Sequence, residues 1–340
     1  MNPYEEQKST KGHLGKENDE SSSMISTDRS STELDATPVD SSINSAGVSF
    51  ATRFTIIDNW VTKTDGTKIY SRTWAPLPLG PNSVLAVVVF IHGVGEHIQR
   101  YNYVFPFFAE AGIKVVGFDQ RGFGRTAHHY GQLGDSQGLP VVFQDITDFI
   151  ESARIPGVPV FLMGHSMGGG IALSYSAQHP EGLRGVISSA PLIAPGKETA
   201  PTTIESYLLA VVPSIFSSIS IKSAVNPDSL SRDPVANQAY RTDQYVHPWT
   251  SIGTAISILK MGEDLANIYS KSYSLPVYIT HGTDDVLTSP IASKKFFDDI
   301  PSKDKTYNSL EGYYHEAHQE PGDLKQVVIW SYIDWILARL

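Results

Sequence analysis

Ser166 stands in Gly164-His165-Ser166-Met167-Gly168, between an apolar run, Val158 to Met163, and a small-residue segment that begins near Gly169. A serine on a sharp strand-to-helix turn presents its hydroxyl as a nucleophile, and the flanking glycines leave the backbone room for that turn. The N–H groups that open the following helix favour developing negative charge, and Met167, the residue after the serine, supplies one oxyanion donor. A hydroxyl is a weak nucleophile without a base, so a histidine oriented by a carboxylate must reach it. In the chain order serine, acid, histidine, the candidates are Asp284 or Asp285 in His281-Gly282-Thr283-Asp284-Asp285, and His315 in Glu311-Gly312-Tyr313-Tyr314-His315. Spacing leaves the two aspartates open. The chemistry implied is acyl transfer through a covalent intermediate.

These residues need a frame that holds them within hydrogen-bond reach of one another. Val84 to Ile91 and Ile113 to Phe118 are nearly continuous apolar runs, the mark of strands buried on both faces of a parallel sheet. Helices are expected from about Asn102 to Ala111 and Val141 to Ala153, with further strands at Val158 to Met163, Leu183 to Ser189, Val277 to Thr280 and Lys305 to Leu310. A closing helix is expected over Lys325 to Arg339. Strand and helix alternate, which implies an α/β fold with a mostly parallel sheet covered on both sides. Ahead of it, Arg53 to Trp60 and Thr67 to Trp74 flank Asp65-Gly66 and read as an antiparallel start. The alternation breaks at Pro191 and resumes at Val277, so an inserted cap is expected at about 191–270. It contains the apolar stretch Tyr207 to Ile221 and the polar, helix-compatible stretch Asp228 to Tyr245. Residues 1–49 are rich in Ser, Thr, Asp, Glu and Lys and read as a disordered tail before the domain of residues 50–340.

His92-Gly93-Val94-Gly95-Glu96-His97, Arg100-Tyr101, Phe118-Asp119-Gln120-Arg121-Gly122, the serine elbow and the two late loops together resemble the monoglyceride lipase and lysophospholipase family of α/β-hydrolases, from about Phe54 to the C-terminus. The resemblance implies the α/β-hydrolase fold and Asp285, rather than Asp284, as the acid. It implies Val94 as the second backbone donor of the oxyanion hole, and Glu96, Arg100 and His318 as a polar pocket for a glycerol leaving group. It also implies a monoacylglycerol substrate split to fatty acid and glycerol, with no cofactor. Lysophospholipid hydrolysis, a general carboxylesterase or thioesterase, and a catalytically silent lipid-binding scaffold are the alternatives. The last predicts a missing triad member, and none is missing. An aspartate nucleophile, as in epoxide hydrolases and dehalogenases, is excluded by Ser166. A long polar tail and the absence of cysteine depart from what the resemblance leads one to expect.

Other patterns carry less. His315-Glu316-Ala317-His318 spaces its histidines by three where the zinc motif His-Glu-x-x-His needs four, so no metal is expected. His128-His129 has no partner spacing for a metal, and Gly122-Phe123-Gly124 lacks the third glycine and acidic partner of a dinucleotide site. The formal charge of -10, with 26 basic and 36 acidic residues among 340, argues against nucleic acid. The lack of cysteine removes disulfides and lipidation through thiols. With a polar N-terminus, no apolar run of spanning length and no glycosylation sequon, it leads to the expectation of a cytoplasmic protein. In the cap, Leu208, Leu209, Val211, Val212, Ile215 and Phe216 suit a peripheral contact with a membrane or lipid droplet.

Overall fold

The computed structural model describes residues 53–78, 83–200, 217–222 and 225–340. The tail of residues 1–49 lies outside them. So do the six apolar cap residues between Leu208 and Phe216.

An eight-stranded sheet runs in the order β1 (Phe54–Thr62), β2 (Lys68–Pro76), β4 (Ile113–Phe118), β3 (Ala86–Ile91), β5 (Val160–His165), β6 (Gly185–Ser189), β9 (Val277–Gly282) and β10 (Lys305–Leu310). β1 and β2 pair antiparallel, β2 meets β4 antiparallel, and every pairing from β4 to β10 is parallel. β3 and β5 are buried at every position, as expected of strands covered on both faces. Successive side chains of β3 alternate between two cores. Val87, Val89 and Ile91 join α3 (Leu139–Ala153) and α4 (Met167–Gln178), while Val88 and Phe90 join α1 (Phe105–Glu110) and the closing helix α8 (Leu324–Leu337).

Between β6 and β9 the described residues form α5 (Pro234–Thr242), a two-stranded ribbon of β7 (Ser220–Lys222) and β8 (Trp249–Ser251), and α6 (Ile252–Asn267). Ser251 caps α6 by accepting from Thr254 N at 3.1 Å. Ile258, Met261 and Leu265, spaced by three and four, bury one face of α6 in the first core. Among the described residues, α2 (Gly124–Tyr130) and α7 (Pro290–Asp299) complete the α-helices. No helix among the described residues is long and apolar enough to cross a membrane.

Candidate active site

Ser166 ends the strand-to-helix turn from β5 to α4 with φ 57° and ψ -122°. That left-handed backbone costs a side-chain-bearing residue on the order of 1–3 kcal/mol. The surroundings hold it there: Ser166 N donates to Ser189 O at 2.9 Å, and Ser166 O accepts from Gly170 N and Leu192 N, both at 3.0 Å. α4 packs so closely on β3 that a Cβ on Gly168 would overlap the carbonyls of Ile91 and His92. Met167 is the first residue of α4, so its N–H is one of the donors that a helix leaves without an internal partner.

The sheet brings β9 and β10 to the same carboxyl end as β5, where sites in parallel sheets are built. Asp285 lies in the loop after β9, and His315 follows β10. His315 Nδ1 is 2.7 Å from Asp285 Oδ2. Asp284, one residue earlier, is exposed and points elsewhere. Asp285 is buried and heavily bonded: Oδ1 accepts from Leu287 N at 2.8 Å and Thr288 N at 3.0 Å, and Oδ2 accepts from Thr288 Oγ1 at 2.8 Å. His281 Nε2 is a further neighbour of Oδ2 at 3.0 Å, and its own Nδ1 lies 2.7 Å from Ser293 Oγ. Burial alone would raise the carboxyl's pKa, but the His315 charge and the bonds from His281 and His315 hold it well below the usual carboxylate range. Burial likewise pulls the His315 pKa down, yet the Asp285 carboxylate outweighs it and the net direction is upward.

Ser166 and His315 both line a cavity of about 760 Å³. Its walls are mainly apolar: Leu192, Val225, Leu230, Ile258, Leu259 and Leu287 are among them. Val94 also lines it, on a loop that lies against the serine. A Cβ added to Gly93 would stand 3.2 Å from Ser166 Cβ and 2.9 Å from Glu96 Oε1. Glu96 braces that loop, accepting from Gly93 N at 2.6 Å and from Tyr101 OH at 2.7 Å. Arg100 Nη1 donates to Glu96 Oε2 at 2.6 Å and to Glu316 Oε1 at 2.7 Å, while Nη2 donates to Glu316 Oε2 at 2.9 Å. The guanidinium lies under Tyr240 of α5, 4.6 Å from the ring centre.

Of the three residues expected to hold glycerol, Glu96 and Arg100 therefore line the cavity. His318 lies behind it, stacked on Tyr101 with ring centres 5.3 Å apart and edge-on to His165 at 4.9 Å. Burial pushes its pKa down to about 4, so it is neutral at pH 7. Glu316, His281 and Thr288 join the site beyond the residues expected from the sequence: Glu316 falls in the His-Glu-x-His run without zinc spacing, and His281 opens the loop that carries the acid. Because Arg100 is the sole guanidinium between two buried carboxylates, Arg100→Ala leaves like charges facing each other. A loss of roughly 3–5 kcal/mol is expected, and thermal denaturation at pH 7 checks it; a midpoint unchanged within about 2 °C would contradict the reading.

A family model described as "Serine aminopeptidase, S33" (Hydrolase_4) matches residues 82–322. The chain belongs to this family of α/β-hydrolases. Among its relatives, the monoglyceride lipase of Saccharomyces cerevisiae is 32% identical over 272 residues, covering 74% of this chain and 83% of that one. A soluble variant of monoglyceride lipase from the same yeast, solved with a substrate analog, superposes with a TM-score of 0.72 at 27% identity over 82% of this chain and 94% of that one. The monoacylglycerol lipase of Paleococcus ferrophilus gives the same TM-score and identity over 80% and 99%. Both solved structures thus share with this chain the mostly parallel sheet and flanking helices described above.

Proposed function

We propose that this chain is a serine esterase that hydrolyses monoacylglycerols to fatty acid and glycerol. The observation that carries the reading is the opening of Ser166 and of His315, itself paired with the buried Asp285, onto one large cavity with apolar walls and a polar end. His315 takes the Ser166 proton as Ser166 attacks the ester carbonyl, and Asp285 holds the imidazole tautomer and stabilises its charged form. The N–H groups of Met167 and Val94 hold the oxyanion, each contributing roughly 3 kcal/mol to lowering the barrier. His315 returns the proton to the glycerol oxygen, and water then releases the acyl group by the same steps in reverse order.

The acyl chain fits along Leu192, Ile258, Leu259 and Leu287. The yeast and Paleococcus relatives, which bear lipase names, support a lipid ester as substrate. The aminopeptidase description of the family model fits less well, because the long apolar wall of the cavity suits an acyl chain rather than the amino end of a peptide. The ribbon at the cavity mouth supports delivery from a lipid surface. Ile219, Ile221 and Trp249 are exposed there, Ile221 also lines the cavity, and Lys222 Nζ lies 5.8 Å from the Trp249 ring centre.

The test is to offer the purified chain 2-oleoylglycerol, a lysophosphatidylcholine and an aminoacyl anilide in parallel. Fatty acid release from the glyceride is expected, with little or no release from the other two. Cleavage of the anilide without ester hydrolysis would overturn the proposal.

A further inference from the structure

Glu316 immediately follows the histidine that must protonate the departing oxygen, and its carboxylate lines the same cavity although its side chain is only 3% exposed. Its place is fixed from three directions. Both oxygens accept from Arg100, its N–H donates to Leu230 O of the insertion at 2.7 Å, and its own carbonyl accepts from Gln319 N at 2.7 Å. General acid catalysis places the leaving group within reach of His315, hence on the Glu316 side of the scissile bond. What a leaving group meets there is two carboxylates, Glu96 and Glu316, around one guanidinium, and the Asp285 carboxylate behind His315. Arg100 carries one positive charge against the two it bonds, so this end of the cavity is net negative. Lys222, the other cation among the described lining residues, sits on the exposed ribbon over Trp249.

We propose that Glu316 determines the charge of the leaving group that the site accepts: its carboxylate, held by Arg100 beside His315, admits uncharged hydroxyl headgroups and rejects phosphate-bearing ones. The inference rests on the esterase reading above and sharpens it. A glycerol needs only hydrogen-bond acceptors, which the two carboxylates supply. A phosphate monoester carries between one and two negative charges at pH 7 and three acceptor oxygens, and it finds no uncommitted cation at this end. Because the Glu96, Arg100 and Glu316 side chains are buried, the repulsion at this end is weakly screened. The same carboxylate acts on the base: against burial, the largest opposing influence on His315, it joins Asp285 and Glu96 in favouring the charged form of the ring, on which His165 packs with centres 4.8 Å apart.

The measurement compares 1-oleoylglycerol with 1-oleoylglycerol 3-phosphate, each dilute in neutral-detergent micelles, with 4-nitrophenyl butyrate as a turnover control. The wild-type chain is expected to prefer the glyceride in kcat/KM. Glu316→Gln, which keeps an acceptor for Arg100 but no charge, should compress that preference by about tenfold or more, Glu316→Asp should preserve it, and Glu316→Ser serves as a second neutral replacement should the glutamine variant not fold. In the neutral variants the acidic limb of the 4-nitrophenyl butyrate profile should also move to lower pH, which a loss of packing alone would not do. Equal wild-type turnover of the two lipids, or one preference ratio shared by wild type and neutral variants, overturns the role of Glu316 and leaves the glyceride reading standing. Turnover of the butyrate ester with neither lipid cleaved overturns the glyceride reading and this proposal with it.

Discussion

Ser166→Ala is expected to lower kcat on 2-oleoylglycerol by about 10⁶-fold, the scale seen when a serine nucleophile is removed from a catalytic triad, while lipid binding and folding persist. The oxygen that is lost is the atom that forms the acyl-enzyme, and no neighbouring hydroxyl shares its place at the strand-to-helix turn. The backbone carries a second, independent signature. At φ 57° the residue is strained whether it is serine or alanine, so the alanine variant should unfold at nearly the wild-type temperature. Ser166→Gly should be equally inactive and yet more stable by roughly 1 kcal/mol, since relief of a strain of about 1–3 kcal/mol exceeds the added chain entropy of glycine, about 0.5–1 kcal/mol. Steady-state rates, fluorophosphonate labelling and denaturation curves read these outcomes. A residual rate above about one per cent of wild type in Ser166→Ala would remove the serine from the mechanism.

The inner parallel strands were legible because burial on both faces forces an unbroken apolar run, and β4 falls where such a run places it, whereas the edge strand β10 is only half-buried and carries none. Strand ends were less so. β5 continues two residues past its apolar run to His165, because polar residues at the carboxyl ends of strands are those the site uses. The helix expected over Asn102–Ala111 is confined to Phe105–Glu110, preceded by a 3-10 turn at Ile98–Tyr101, since that segment follows Glu96 and Arg100 into their ion pairs. The break in alternation at Pro191 marks the long connection from β6 to β9, yet it hid α6, whose buried Ile258, Met261 and Leu265 do have helical spacing. At the site, Ser166 announced itself by its local turn, whereas spacing left Asp284 and Asp285 open; the family resemblance favours Asp285, and that is the side chain the tertiary fold buries against His315. Thr288 stands in no motif, and Glu316 only in a His-Glu-x-His run that lacks zinc spacing. The Arg100 contact that fixes Glu316 spans 216 residues of chain, and no local spacing encodes it.

Asp285→Asn is expected to lower kcat about 10⁴-fold with KM little changed, and the hydrogen bonds around Asp285 explain why an isosteric change should be so costly. Leu287 N and Thr288 N both donate to Oδ1, and as backbone donors they cannot reverse their polarity. The asparagine must therefore keep its amide oxygen at Oδ1 and place its NH2 where Oδ2 now stands. That position faces His315 Nδ1 at 2.7 Å and His281 Nε2 at 3.0 Å. An NH2 there donates to Nδ1 of His315, so the ring's proton is forced onto Nε2, the nitrogen that must instead be free to take the proton of Ser166. Losing the carboxylate also removes the charge that holds the His315 pKa above 6.5, and burial then dominates. The acidic limb of kcat/KM, which in the wild-type chain should lie above pH 6.5 because only neutral His315 is a base, should move to lower pH even as the plateau falls. Nitrogen-15 shifts of His315 would report the tautomer directly: a protonated Nδ1 in the variant, with wild-type kcat, would show that Asp285 neither orients nor charges the base.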